Sequence, residues 1–274
     1  MKKNKFLLVA LFVCFVLLVQ PNSRNTIWTF LSSQNIFSQL GLGETQFPEL
    51  FSISENNDEV AAQSQRNEWL DKLKKIEYDG KQVIIVNENH PLFSKSDLVI
   101  PKEKDFWEEY ANLDWLNRVG EANALLSKSA MPNEERKSIA HVKPSGWKNK
   151  KIIFNGKQDY LYNRSHLIGF QLTGQNDNPK NLFTGTRALN ANFKDEKSSM
   201  LYYENLVANY LRETNHHVRY QIVPIFRGLE KVCRGIWMQA QSIEDDRIQF
   251  SVYLLNVQPN YEINYLTGES KKVK

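Results

Sequence analysis

The chain has 274 residues, of which 41% are hydrophobic and 24% charged, and a formal net charge of +4. Apolar content at that level supports a packed core, and roughly 200 residues remain once the ends described below are set aside, the size of one domain. Two cysteines exclude a disulfide-stapled scaffold, and a net charge this small makes the distribution of charge more informative than its sum.

The N-terminus reads as a targeting segment. Lys2, Lys3 and Lys5 precede fourteen apolar residues, Phe6 to Val19. That run suits a signal-peptide core better than a membrane span, which needs about 20 residues. No small-x-small cleavage pattern follows it, so two readings stay open: a cleaved export signal, or an uncleaved anchor through residues 6–19. Cys14 is preceded by Val13, which disfavours lipoprotein processing. Either reading puts the body outside the cytoplasm, secreted or held at the cell surface. Residues 21–65 are rich in Ser, Asn and Gln, and their apolar residues (Trp28, Phe30, Phe37, Phe47) keep no period, as in a linker or stalk. The division expected is therefore 1–20 signal or anchor, 21–65 stalk, 66–274 folded domain.

Within that domain, Trp69, Leu70 and Leu73 predict a helix over 66–75. Tyr78-Asp79-Gly80-Lys81 is a turn signal, and Val83-Ile84-Ile85-Val86 a β-branched strand. Residues 113–128 fit either helix or strand. A helix is expected over about 198–212, with Leu201, Tyr202, Leu206 and Tyr210 as its apolar stripe and Glu204 near the stripe's edge. Val218, Tyr220, Ile222 and Pro224, then Ile248, Phe250, Val252 and Leu254, alternate with other residues at period two, the pattern of a sheet buried on one face. The sum is an α+β domain with an antiparallel sheet. Cys233 reads as a buried core residue rather than a nucleophile.

The chemistry concentrates in Asn163-Arg164-Ser165-His166, with Asn190 and Glu204 downstream. Phosphodiester hydrolysis needs a base for water, charge stabilisation at phosphorus and cover for the leaving oxygen. A neutral imidazole supplies the first. A hard divalent cation supplies the others, and magnesium keeps several waters, so one protein amide oxygen is enough to hold it. Of the five histidines (His90, His141, His166, His216, His217), only His166 has an arginine two positions earlier and an apolar run after it. Taken singly, His166 also reads as a histidine satisfied at a strand end, Asn190 as a helix cap and Glu204 as a solvated helix charge. Ser165 beside His166 invites a Ser-His hydrolase reading. Adjacent strand residues point to opposite faces, which argues against it.

These residues resemble a known family. Asn163-Arg164-Ser165-His166 is similar to the Asp-Arg-Gly-His motif of the DNA/RNA non-specific endonucleases, the ββα-metal or His-Me finger nucleases, and above all to the DNA-entry nucleases and secreted DNases of Gram-positive bacteria. The stretches Asn178-Pro179-Lys180-Asn181-Leu182, Thr186-Arg187-Ala188-Leu189-Asn190 and Tyr202-Tyr203-Glu204 agree in order. So do the upstream stretches 122–128 and 142–147. The likeness runs from about residue 78 to 268. It implies a ββα-metal fold with a central antiparallel sheet flanked by helices. It also implies a finger made of the hairpin carrying His166 and the helix reached after Asn190, and makes 66–274 a nuclease domain. His166 takes the place of the general base, Asn190 of the direct Mg2+ ligand (Mn2+ able to substitute) and Glu204 of the carboxylate orienting a metal-bound water. Arg164 takes the place of the motif arginine, on phosphate or holding the loop. Asn181 and Asn163 take supporting places. Asn163 for Asp and Ser165 for Gly depart from the motif.

Seven cations, Arg136, Lys137, Lys143, Lys148, Lys150, Lys151 and Lys157, occur over 136–157 with no acidic residue among them. With Trp147 interleaved as a stacking platform, and Arg187 downstream, they read as a phosphate-contacting surface rather than a merely solvated loop. No base-reading motif is present. The expectation is a magnesium-dependent, sequence-independent endonuclease of DNA, with RNA left open and no obligate protein partner. The alternatives are a catalytically weak DNA-binding or uptake protein at the cell surface, and a structural surface protein with an incidental basic loop.

Overall fold

The computed structural model describes residues 57–273. The apolar run 6–19, Cys14, the cleavage question and stalk residues 21–56 lie outside the described residues. Among those described, no helix is long and apolar enough to cross a membrane. Helix α1 (Asn57–Leu73) begins nine residues before the predicted start at 66.

Six strands form the central antiparallel sheet, in the order β1 (Val83–Ile85), β10 (Gln249–Leu255), β9 (Gly235–Ser242), β8 (Val218–Ile225), β3 (Ala122–Leu126) and β2 (Trp107–Tyr110). The ambiguous stretch 113–128 thus resolves into a turn and a strand. The turn is tied by Asp114, whose Oδ1 accepts from the amides of Leu116 and Arg118. Strand β9, whose apolar and polar residues keep no clean alternation to read in the sequence, pairs with both predicted strands.

The sheet is buried on both faces, which corrects the one-sided reading. One face carries Val218, Tyr220, Ile222, Phe250, Val252 and Leu254 and packs on the helix Met200–Glu213 (α4 below). The other carries Trp237 and Tyr253 beneath Leu73, Val86 and Leu92. Its polar residues pair with one another: Gln239 Nε2 donates to Gln221 Oε1 at 2.8 Å, and Arg219 Nη2 donates to Asn123 Oδ1 at 2.7 Å. Hydrogen bonds of this kind offset much of the cost of burying them, although Arg219 Nε stays without a partner. Cys233 is buried in the core, and burial pushes its thiol up to about 12.

Beyond the sheet lie three hairpins. They are β4 (Lys151–Phe154) with β5 (Lys157–Tyr160), β6 (Tyr162–His166) with β7 (Leu182–Thr186), and β11 (Tyr261–Ile263) with β12 (Ser270–Lys272). The short helix α2 (Phe170–Thr173) follows β6, and α3 (Arg187–Asn190) follows β7 directly. Helix α4 (Met200–Glu213) buries Met200, Tyr203, Val207, Ala208, Tyr210 and Leu211. The stripe is rotated from the one predicted: Leu206 is exposed, while Tyr203, Val207 and Leu211 recur at helical spacing against the sheet. That rotation carries Glu204 inward.

Candidate active site

A cavity of about 820 Å³ is lined by residues from four elements: Asn163, Arg164 and His166 of β6, Gly169 before α2, Asn190 of α3 and Glu204 of α4. Residues 24 and 38 positions beyond His166 reach it because β7 returns antiparallel to β6, with His166 opposite Leu182 and Tyr162 opposite Thr186. Thr186 then caps α3, accepting from the Leu189 amide at 3.1 Å. Asn190 is the last residue of α3 and not its cap, so its amide is left for the cavity.

His166 is buried, and both ring nitrogens are engaged. Nε2 faces the Asn176 carbonyl at 2.8 Å, and Nδ1 lies 3.3 Å from Arg136 Nη2. A carbonyl only accepts, so Nε2 carries the proton and Nδ1 the lone pair in the neutral ring. Burial, together with the charge of Arg136 and against the Asn176 hydrogen bond, lowers the ring's pKa to about 4. Glu204 shows the opposite shift. Burial pushes its carboxyl up to about 7, against a hydrogen bond from Gln171 and the charge of Arg136. Glu204 is half-buried by surface area, yet its carboxyl oxygens sit tightly against Gly169, and it is this crowding that the shift reflects.

The other predicted residues divide. Arg164 holds the loop: its Nε donates to the Val142 carbonyl and its Nη2 to the Ala140 carbonyl at 2.7 Å. Its guanidinium also stacks 4.3 Å over the Trp147 ring, so one face of the proposed platform is taken. Asn181 lies outside the cavity lining and is fully buried. It accepts from the Ile168 amide at 2.9 Å and donates to the Ile168 carbonyl at 3.0 Å, pinning the chain just after His166. Ser165 is buried on Gly185 and does not line the cavity. Of the basic surface, Arg136, Trp147 and Arg187 line the cavity, whereas Lys143, Lys148, Lys150 and Lys151 do not. Lys150 is committed elsewhere, donating to the Ser270 carbonyl at 2.7 Å over the Tyr261 ring. Lys137 lies 3.7 Å from Glu134. Sequence reasoning missed Gly169, Gln171, the Asn176 carbonyl and the contact of Arg136 with His166. An arginine thirty residues upstream gives no periodic signal of touching the ring.

The donor set suits a hydrated hard cation. Among the described residues no group of three or more His, Cys, Asp or Glu is placed to hold a metal, which argues against a closed protein cage. The amide of Asn190, the carboxylate of Glu204 and Asn163 Oδ1, which is buried without a partner, all line the one cavity. Glu204 has no cationic side chain within ion-pair distance among the described residues, so a crowded carboxylate is left for a cation to neutralise. Oxygen donors few in number fit an ion that retains its own waters.

A two-stranded hairpin bearing an inward histidine, followed by helices that bring an amide and a carboxylate to the same cavity, defines the ββα-metal class. Residues 101–244, more than half of the chain, match the model of the DNA/RNA non-specific endonucleases, and the chain belongs to that family. Membership implies hydrolytic endonuclease chemistry on nucleic acid. Solved structures share the fold. NucA from Streptococcus agalactiae with magnesium bound is 23% identical, with a TM-score of 0.61 over 72% of this chain and 90% of that one. The metal-free form of NucA is 24% identical, with a TM-score of 0.60 over 77% and 96%. The Sda1 nuclease with bound zinc is 25% identical, with a TM-score of 0.54 over 61% and 81%.

Proposed function

We propose that the protein is an exported endonuclease that hydrolyses DNA without regard to sequence, with His166 as general base and one Mg2+. The observation that carries this reading is the pinned imidazole: Nε2 is spent on the Asn176 carbonyl, and Nδ1 meets Arg136, with both residues lining the cavity shared with Asn190 and Glu204.

In this reading a phosphate entering the cavity draws the Arg136 guanidinium away from Nδ1, and a water takes that position. Nδ1 accepts the water's proton as its oxygen attacks phosphorus. The ester bond to the leaving oxygen breaks, and that oxygen is protonated from solvent. When bound, the divalent cation supplies charge neutralisation at the phosphate and the leaving oxygen. The Asn190 amide oxygen would hold it and Glu204 would orient its water. The low affinity of His166 for a proton keeps the ring neutral beforehand and makes it release the proton afterwards. Arg164 acts as a positioning residue through the loop it holds. A magnesium-bound form of NucA supports the choice of ion, with Mn2+ as a substitute. The apolar run 6–19 supports export, either cleaved or kept as a tether.

Nicking of supercoiled plasmid by the full chain tests the reading. Cleavage abolished by EDTA and restored by magnesium, and lost in His166→Ala while DNA binding persists, is the expected result. Near-normal turnover by His166→Ala removes His166 as the base.

A further inference from the structure

Two aromatic rings stand in solvent next to residues that line the cavity. Tyr160 is 51% exposed and Phe193 67% exposed. Tyr160 ends β5 and lines the cavity, while Phe193 follows Asn190 by three residues. Both sit on a braced frame. Asp159 Oδ1 accepts from the Tyr160 amide at 2.7 Å. Its other oxygen lies 2.7 Å from Arg187 Nε, an ion pair whose N–H is not aligned as a hydrogen bond. The Arg187 guanidinium lies 5.5 Å from the centre of the Phe193 ring. A second brace joins the same two segments: Asn155 Nδ2, in the tight turn of the β4–β5 hairpin, donates to Asn192 Oδ1 at 3.2 Å.

We propose that Tyr160 and Phe193 form a stacking subsite for unpaired bases flanking the phosphate that enters the His166 cavity. The inference rests on the nuclease reading above and adds a preference to it. What sets these two exposed rings apart from other exposed apolar residues is that both are braced on Arg187, a residue lining the cavity. The charge beside it selects the occupant. Lys151 is directly opposite Tyr160 in the hairpin register, and Arg187 pairs with Asp159, the residue before Tyr160, while lying against the Phe193 ring. Cations alternating with rings match a strand that alternates phosphates with base faces. Stacking is indifferent to base identity, which fits cleavage without sequence preference. A duplex keeps its base faces turned inward, so only unpaired or frayed nucleotides satisfy the subsite.

The test uses the full chain carrying His166→Ala, so that binding is read without cleavage. It is titrated by fluorescence anisotropy with a labelled single-stranded DNA 12-mer, the matching RNA and the blunt DNA duplex. Adding Tyr160→Ala or Phe193→Ala is expected to weaken single-strand binding about five- to tenfold, with duplex binding changed less than twofold and Tyr160→Phe retaining affinity. A loss on DNA alone, RNA alone or both supports the subsite and identifies its source. Unchanged single-strand binding, or equal losses on duplex and single strand, overturns it. If the parent binds no nucleic acid, the nuclease reading falls as well. Intact parental binding with unmoved alanine variants sinks the subsite alone.

Discussion

The carboxylate of Glu204 occupies the space that a β-carbon on Gly169 would need: a carbon built there stands 2.6 Å from Oε2 and 2.7 Å from Cδ. Gly169 has φ −58 and ψ 141, an ordinary extended conformation. Its lack of a side chain therefore serves the neighbour and not its own backbone. Gly169→Ala forces Glu204 out of the cavity with little strain in the chain itself. Plasmid nicking should fall about tenfold or more, by analogy with the loss of a group that orients a metal's surroundings. Thermal unfolding should shift by no more than a few degrees, the scale of about 1 kcal/mol. Full activity in this variant would mean that Glu204 can act from elsewhere, or not at all.

The opposed shifts of His166 and Glu204 predict how pH and metal interact. Without a cation Glu204 holds a proton up to about 7, well above a free carboxyl. A raised carboxyl pKa in the folded state adds stability at low pH that is lost as pH rises through 7. A divalent cation reverses that loss by favouring the ionised form. The rise in melting temperature on adding Mg2+ should therefore be larger at pH 8 than at pH 5.5. His166 protonates only near 4, so the ring stays unprotonated well below the ordinary histidine range. At limiting metal the acid side of the rate profile should fall near 7, and at saturating metal it should move down by more than one unit. A profile pinned near 6.5 at every metal concentration would contradict both shifts.

Asn181 offers a structural counterpart. Its two hydrogen bonds satisfy the amide and carbonyl of Ile168, which is itself fully buried. Asn181→Leu leaves both groups without partners, at about 2–4 kcal/mol in all. Denaturant unfolding should show this as a lower midpoint. Activity measured well below the midpoint should be reduced, because the segment that follows His166 is no longer pinned. A stable variant with a lowered rate would instead assign Asn181 to the chemistry.

The hairpin carrying His166 was legible only through the family resemblance of Asn163-Arg164-Ser165-His166, because Tyr162–His166 mixes polar and apolar residues with no strand period of its own. Glu204 was legible as inward-facing, and Tyr210 and Tyr202 of the predicted stripe do meet the core, but Leu206 is apolar and yet exposed. The second buried face of the sheet was not legible at all. Arg219, Gln221 and Ser251 read as solvent-facing until distant partners are brought to them: Arg219 donates to Asn123 Oδ1 at 2.7 Å, Gln239 Nε2 to Gln221 Oε1 at 2.8 Å, and Trp237 its indole N–H to Ser251 Oγ at 3.0 Å. The contact of Arg136 with the imidazole is hidden for the same reason. It depends on Arg164 folding residues 140–142 back over the hairpin, a tertiary event without periodicity.

The basic segment yields a quantitative prediction for salt. Seven cations over 136–157 would set an upper bound near −6 on the slope of log K against log salt for duplex DNA, roughly 0.9 per phosphate contacted. Lys137 is drawn to Glu134, and Lys150 is held on the Ser270 carbonyl and the Tyr261 ring. Five cations remain, which lowers the bound to about −4.5. Lys148→Ala should flatten the slope by about 0.9, because Lys148 is exposed and has no acidic partner among the described residues. Lys150→Ala should leave the slope unchanged and lower the melting temperature, since its ammonium serves the C-terminal hairpin. Binding isotherms for the His166→Ala background between 50 and 200 mM salt distinguish the two lysines. Equal effects of both substitutions on the slope would show that Lys150 leaves Ser270 to meet phosphate.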